Sequence, residues 1–159
     1  MRVVILVGPS GSGKSTYVRG LGPCTVCSAD AYFLDSRGKY AFDFHRLSEA
    51  HGQCLRGYVR HLQDGTPNNV PLVVDNTNCT LVELAPYVAL ALAYDRPLEI
   101  RAPGVSKEML TEDEPAPVAE WAARNTHGVP LQGVQRQWDN LKKTWREWPR
   151  HWPALECRQ

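Results

Sequence analysis

The chain has 159 residues, 43% of them apolar and 22% charged, with a formal net charge of +1. That length fits one domain with a core large enough to fold without staples, and the near-neutral balance excludes binding to a polyanion by bulk charge alone. Five scattered cysteines argue against a disulfide framework and for a reducing cytoplasm, and no apolar run suits a signal peptide or a bilayer span.

Residues 2 to 7 read as a buried parallel strand, continuous, β-branched and ended by Gly8. A helix is expected from near Gly13 to Gly20, where Gly20, Gly22 and Pro23 stop it. Thr25 to Ser28 form a second short strand with Asp30 just past its carboxyl end. Cys24-Thr25-Val26-Cys27 is a lone C-x-x-C, read as two small apolar residues on an edge or buried strand rather than as a zinc or redox site. Residues 34 to 42 are polar and turn-rich. Asp43 then caps a long helix to about Gln63, with Phe44, Leu47, Leu55, Tyr58, Val59 and Leu62 at helical spacing.

Pro71 to Asp75 make a third strand ending in Asp75-Asn76-Thr77-Asn78. Residues 80 to 93 give an apolar helix and Leu98 to Arg101 a fourth strand. Residues 103 to 117, with three prolines and an acidic cluster, form a long loop or a short irregular helix. A short helix runs from Pro117 to Asn125, closed by Gly128 and Pro130, and a last one from Leu131 to about Trp148. Strands alternating with helices predict an α/β fold, a parallel sheet with helices on both faces.

The stretch Gly8-Pro9-Ser10-Gly11-Ser12-Gly13-Lys14-Ser15-Thr16 fits G-x-x-x-x-G-K-[ST] without a mismatch, directly behind the first strand. Its glycines let the backbone wrap round phosphates, Lys14 reaches the β- and γ-phosphates, and the Ser15 hydroxyl ligates Mg²⁺. A flexible linker would explain the glycines but not the Lys-Ser that follows them. Transfer of that phosphate to an alcohol further requires a carboxylate on the acceptor side. Asp30 stands where open α/β sheets place chemistry, and reads equally as a base or a turn cap. Asp75 ends its strand as a Walker B aspartate does, a Mg²⁺ contact through water, or else starts an Asx turn. Arg124 is a solvated helical arginine or the cation of a hinged lid.

GPSGSGKST, SADAYF, Ala50-His51, VVDNTN, Pro86-Tyr87 and RNTHGVP, taken together, resemble the 5′-hydroxyl polynucleotide kinases of the P-loop kinase group, including kinase modules of bacterial RNA-repair enzymes and of some eukaryotic ATPases. The likeness runs from about Val3 to Trp145. It implies a three-layer P-loop kinase sandwich, a parallel sheet of four to five strands, in one domain over residues 1–159 with a helical lid at about 117–130. It also implies ATP and Mg²⁺ as cofactors, a nucleic-acid 5′-OH end as substrate, Asp30 as general base, Lys14 and Ser15 on phosphate and metal, and Arg124 as a clamp on the donor phosphates.

Two positions depart from the family. Phe33 stands where better studied kinases carry an arginine for the acceptor's 3′-phosphate, and His127 where they carry a second lid arginine. Arg37, Lys39, His45, Arg46 and His51 are then the candidates to grip an acceptor phosphate, and Phe33 or Tyr32 the candidates to stack on a terminal base. Trp138, Trp145, Trp148 and Trp152 alternate with cations near the C-terminus, but Trp138, Leu141 and Trp145 share a helical face, which favours core packing over nucleic-acid contact. The competing readings are a P-loop kinase of a small hydroxylated molecule, such as a nucleoside, sugar or antibiotic, and a nucleotide-dependent switch ATPase. The second lacks an N-K-x-D motif and has Asn76 where a Walker B glutamate would follow Asp75.

Overall fold

The computed structural model describes residues 1–157; positions 158 and 159 of the expected domain lie outside the described residues. Five strands, β1 (Val3–Leu6), β2 (Thr25–Cys27), β3 (Leu72–Val74), β4 (Leu98–Ala102) and β5 (Leu155–Cys157), form one sheet in the order β2-β3-β1-β4-β5. Every pairing is parallel, which places all the carboxyl ends along one edge. The fourfold run of buried apolar side chains in β1 suits the centre of such a sheet, where both faces are covered.

The pleat divides those side chains between two layers. Val3, Ile5, Val7, Leu72 and Val74 join the larger core. There they meet α2 (Leu47–Asp64), α3 (Leu81–Ala93), α5 (Val118–Arg124) and α6 (Leu131–Arg146) through Tyr58, Leu62, Leu84, Val88, Trp121, Val134, Trp138 and Leu141. Val4, Leu6 and Val73 face the other way, against Tyr17, Val18 and Leu21 of or beside α1 (Lys14–Gly20). This second layer is thin. Over β4 and β5 it is completed by a ladder of ions: Arg2 to Glu99 at 2.8 Å, then Arg101 to Glu99 and to Glu156 at 2.8 Å each.

Several expectations shift. Asp43 caps a single turn of 3-10 helix at Phe44–Arg46, its carboxylate accepting the His45 N–H, and α2 starts only at Leu47. Phe44 is consequently 73% exposed rather than packed. The expected last helix stops at Arg146, two residues short of Trp148, and the tail supplies β5. Residues 103–117 contain one short helix, α4 (Lys107–Leu110), capped by Ser106. Trp138 is buried, and Trp145, Trp148 and Trp152 pack against the core, as the spacing of the first two predicts. All five cysteines are free. Among the described residues, no helix is long and apolar enough to cross a membrane.

Candidate active site

The P-loop runs from the end of β1 into α1, and neighbouring segments fix its shape. The Gly8 N–H donates to the Thr77 carbonyl at 2.9 Å. The Asn78 amide donates to the Leu6 carbonyl at 2.8 Å, and Gln137 of α6 accepts the Ser10 N–H at 2.8 Å. Gly11 has φ +81°, and a methyl there would overlap the backbone carbonyl of Trp121; Gly104, at φ +74°, likewise abuts the carbonyl of Ser12. Both glycines are thus demanded by close approach of backbone to backbone as well as by the left-handed conformation. Lys14 is buried, and its ammonium donates to the carbonyls of Gly8 at 2.8 Å and Pro9 at 3.0 Å. Burial lowers the Lys14 pKa, with Cys79, Asp75 and Asp30 working against that shift.

Asp30 opens a short 3-10 turn after β2. It caps nothing with its carboxylate: Oδ1 accepts the Tyr40 hydroxyl at 3.0 Å, and Oδ2 lies 3.5 Å from Nε2 of His127. Asn76 holds this turn in place, accepting the Ala29 N–H at 2.8 Å while its amide donates to the Tyr87 hydroxyl at 3.4 Å in the core. The four residues of Asp75-Asn76-Thr77-Asn78 therefore do separate tasks. Asp75 starts no Asx turn; among the described residues its carboxylate has no hydrogen-bond partner. Burial raises its pKa, while Lys14 and His127 lower it and Asp30 raises it further.

Arg124 ends α5, and its Nε donates to the Gly11 carbonyl. The loop beyond it is pinned by Asn125, whose amide donates to the carbonyls of Ala122 and Val129 at 2.6 and 2.9 Å and accepts the Val129 N–H at 2.9 Å. That loop presents His127 to Asp30.

These groups converge on one cavity of about 770 Å³, lined by the P-loop from Ser10 to Thr16 together with Asp30, Asp75, Arg124 and His127. Gly8 and Pro9 stand behind it, offering their carbonyls to Lys14. A second cavity of about 840 Å³, walled by Arg101, Lys107 and Glu156, shares Tyr17, Pro103 and Gly104 with the first. The acceptor-side expectations fare differently. None of Arg37, Lys39, His45, Arg46 and His51 lines the main cavity. Arg46 is paired with Glu49 at 3.2 Å and lies over the Tyr32 ring at 4.7 Å. Phe33 is buried among Tyr32, Tyr40 and Phe42, so neither it nor the covered Tyr32 presents a stacking face. Leu34 and Tyr40 line that side instead.

Sequence reasoning missed Tyr40, Gln137 and the structural duties of Asn76, Asn78 and Asn125. The asparagines stood inside motifs, but which backbone groups they satisfy depends on segments distant in sequence. Tyr40 sat unremarked in a turn-rich stretch.

The model of the AAA domain family matches residues 3–147. Human NEDD4-binding protein 2 is 30% identical over 149 residues, which cover 89% of this chain and 8% of that protein; the chain spans under a tenth of the relative it matches. Among solved structures, that of the Pnkp1/Rnl/Hen1 RNA repair complex aligns with a TM-score of 0.65 at 18% identity, over 93% of this chain and 46% of the other. A gluconokinase from Sinorhizobium meliloti 1021 aligns with a TM-score of 0.55 at 18% identity, over 98% and 81%. With a five-stranded parallel sheet, a P-loop behind its central strand and a family match over nearly its whole length, the chain belongs to the AAA domain family and has the fold of its P-loop kinases.

Proposed function

We propose that the chain is an ATP-dependent kinase that transfers the γ-phosphate to the 5′-hydroxyl end of RNA or DNA. In this reading residues 1–159 form one domain, with residues 117–130 as its lid. The observation that carries it is the shared cavity: the half-exposed carboxylate of Asp30 faces the same space as the P-loop amides, Ser15, Asp75 and Arg124. Asp30 takes the proton of the acceptor hydroxyl as its oxygen attacks the γ-phosphorus. The bond from that phosphorus to the bridging oxygen breaks, and ADP leaves. The ammonium of Lys14 and the guanidinium of Arg124 neutralise charge on the transferring group.

An exposed hydroxyl at Ser15 and an unpartnered carboxylate at Asp75, both lining the cavity, are the hard oxygen donors that Mg²⁺ takes while keeping several waters. Bound there, the ion would shield the negative charge of the β- and γ-phosphates. Support for a nucleic-acid end comes from the motif set in the sequence and from the likeness to a chain of an RNA repair complex. A second reading, a kinase of a small hydroxylated molecule, is favoured by the absence of the five candidate cations from the cavity wall and by the gluconokinase alignment.

A transfer assay with labelled ATP separates the two, using 5′-OH RNA, 5′-OH DNA, nucleosides and sugars as acceptors. Strand ends should be labelled, and labelling of small acceptors alone would overturn the first reading. Asp30→Ala should abolish transfer while leaving the ATP dissociation constant, measured by calorimetry, near that of the wild type; undiminished turnover would remove Asp30 from the mechanism.

A further inference from the structure

The segment after Asp30 makes a tight excursion that returns to it. Leu34 and Tyr40 form an isolated antiparallel bridge. The Asp35 carboxylate accepts the N–H groups of Arg37 and Lys39 at 2.8 Å each, and the Ala41 N–H donates to the Phe33 carbonyl at 2.9 Å. From the core side, the buried Phe33 ring meets the Tyr40 ring edge-on at 6.1 Å. His127 covers the opposite side at 5.2 Å between ring centroids. The phenol is therefore held from three directions, and its hydroxyl meets one oxygen of Asp30 at 3.0 Å.

The two oxygens of that carboxylate differ. Oδ1 has a donor at full hydrogen-bond distance, whereas Oδ2 has only the 3.5 Å approach of His127. A half-exposed aspartate side chain at the start of a 3-10 turn has rotamer freedom of its own, and a base misplaced by about 1 Å forfeits about 100-fold in rate. We propose that Tyr40 is the positioning residue of the phosphoacceptor side: its hydroxyl commits Oδ1 of Asp30 and leaves Oδ2 as the oxygen that takes the acceptor's proton. This rests on the reading of Asp30 as the general base. The phenol is well suited to the task because burial, followed by the charge of Asp30 and the bond to it, raises its pKa and keeps it a donor. The bridge and the ring contacts do not involve the hydroxyl, so the fold does not depend on it.

The test is steady-state kinetics of the full chain with ATP and whichever acceptors the wild type phosphorylates. Tyr40→Phe keeps the ring and should lower kcat about 10- to 100-fold, the range for a lost hydrogen bond to a charged group. The acceptor KM and the ATP dissociation constant should stay within about twofold. A kcat within twofold of wild type, or a loss of ATP affinity that accompanies the fall, would each overturn the proposal. If only small acceptors are labelled, the strand-end reading fails and the kcat-against-KM split on those acceptors decides the role of Tyr40. A chain that transfers to no hydroxyl overturns both.

Discussion

Arg124 touches the P-loop through Nε alone, which in the proposed mechanism leaves both terminal nitrogens of its guanidinium for phosphate oxygens. Removing a cation or donor of this kind typically costs about 3 to 4 kcal/mol of transition-state stabilisation. Arg124→Ala should accordingly lower kcat by two to three orders of magnitude in the transfer assay, by the same estimate. A change under twofold would make it a surface residue. The side chains that were legible in the sequence, Lys14, Ser15 and Asp30, are those tied to a local pattern: a fixed spacing from the glycines, or a place just past a strand end. Tyr40 was not legible, because only a turn brings its hydroxyl back to Asp30. Nor did the sequence show that Phe33, standing in for an arginine, is a core residue.

At the scale of elements, the P-loop and α5 are packed backbone to backbone. Gly11→Ala would drive a methyl into the Trp121 carbonyl and force a side chain into a left-handed backbone. The expected outcome is a loss of about 1 to 3 kcal/mol in folding stability together with weaker ATP binding, read from urea melts and calorimetry on the same protein. An unchanged variant would show that the two segments separate freely. The elements with dense apolar patterning were legible: the continuous run of β1, and the helical spacing of Leu47, Leu55, Tyr58 and Leu62 in α2. β5 was not: Leu155–Cys157 is interrupted by the charged Glu156, unlike the equally short Leu72–Val74, and it joins the sheet only through β4. The start of α2 was misjudged for a related reason: a good capping residue at Asp43 serves a 3-10 turn as well as an α-helix.

Across the whole molecule, the two faces of the sheet are stabilised by different physics. One is buried under helices; the other, beyond α1, relies on Arg2, Glu99, Arg101 and Glu156. Burial raises the Glu99 pKa, but the bond from Arg101 and the charges of Arg2 and Arg101 outweigh it and leave the carboxyl below its ordinary range. A carboxyl so depressed stabilises the fold above its unfolded pKa, about 4.3, and that contribution is lost as pH falls through the lower folded value. Glu99→Gln should therefore cost about 1 kcal/mol at pH 7, and the difference between the two proteins should shrink below about pH 4. Urea denaturation at pH 7 and pH 3 measures both. A gap that stays constant would assign the loss to packing.

The bonds from Lys14 to the carbonyls of Gly8 and Pro9 bear on how a nucleotide is received. Because the chain itself supplies partners for that ammonium, the curvature of the loop is inherited from folding, and an arriving triphosphate exchanges places with two oxygens instead of moulding a slack segment. Capture is then governed by encounter, and tightness by the difference between phosphate and peptide oxygens as hosts for one cation.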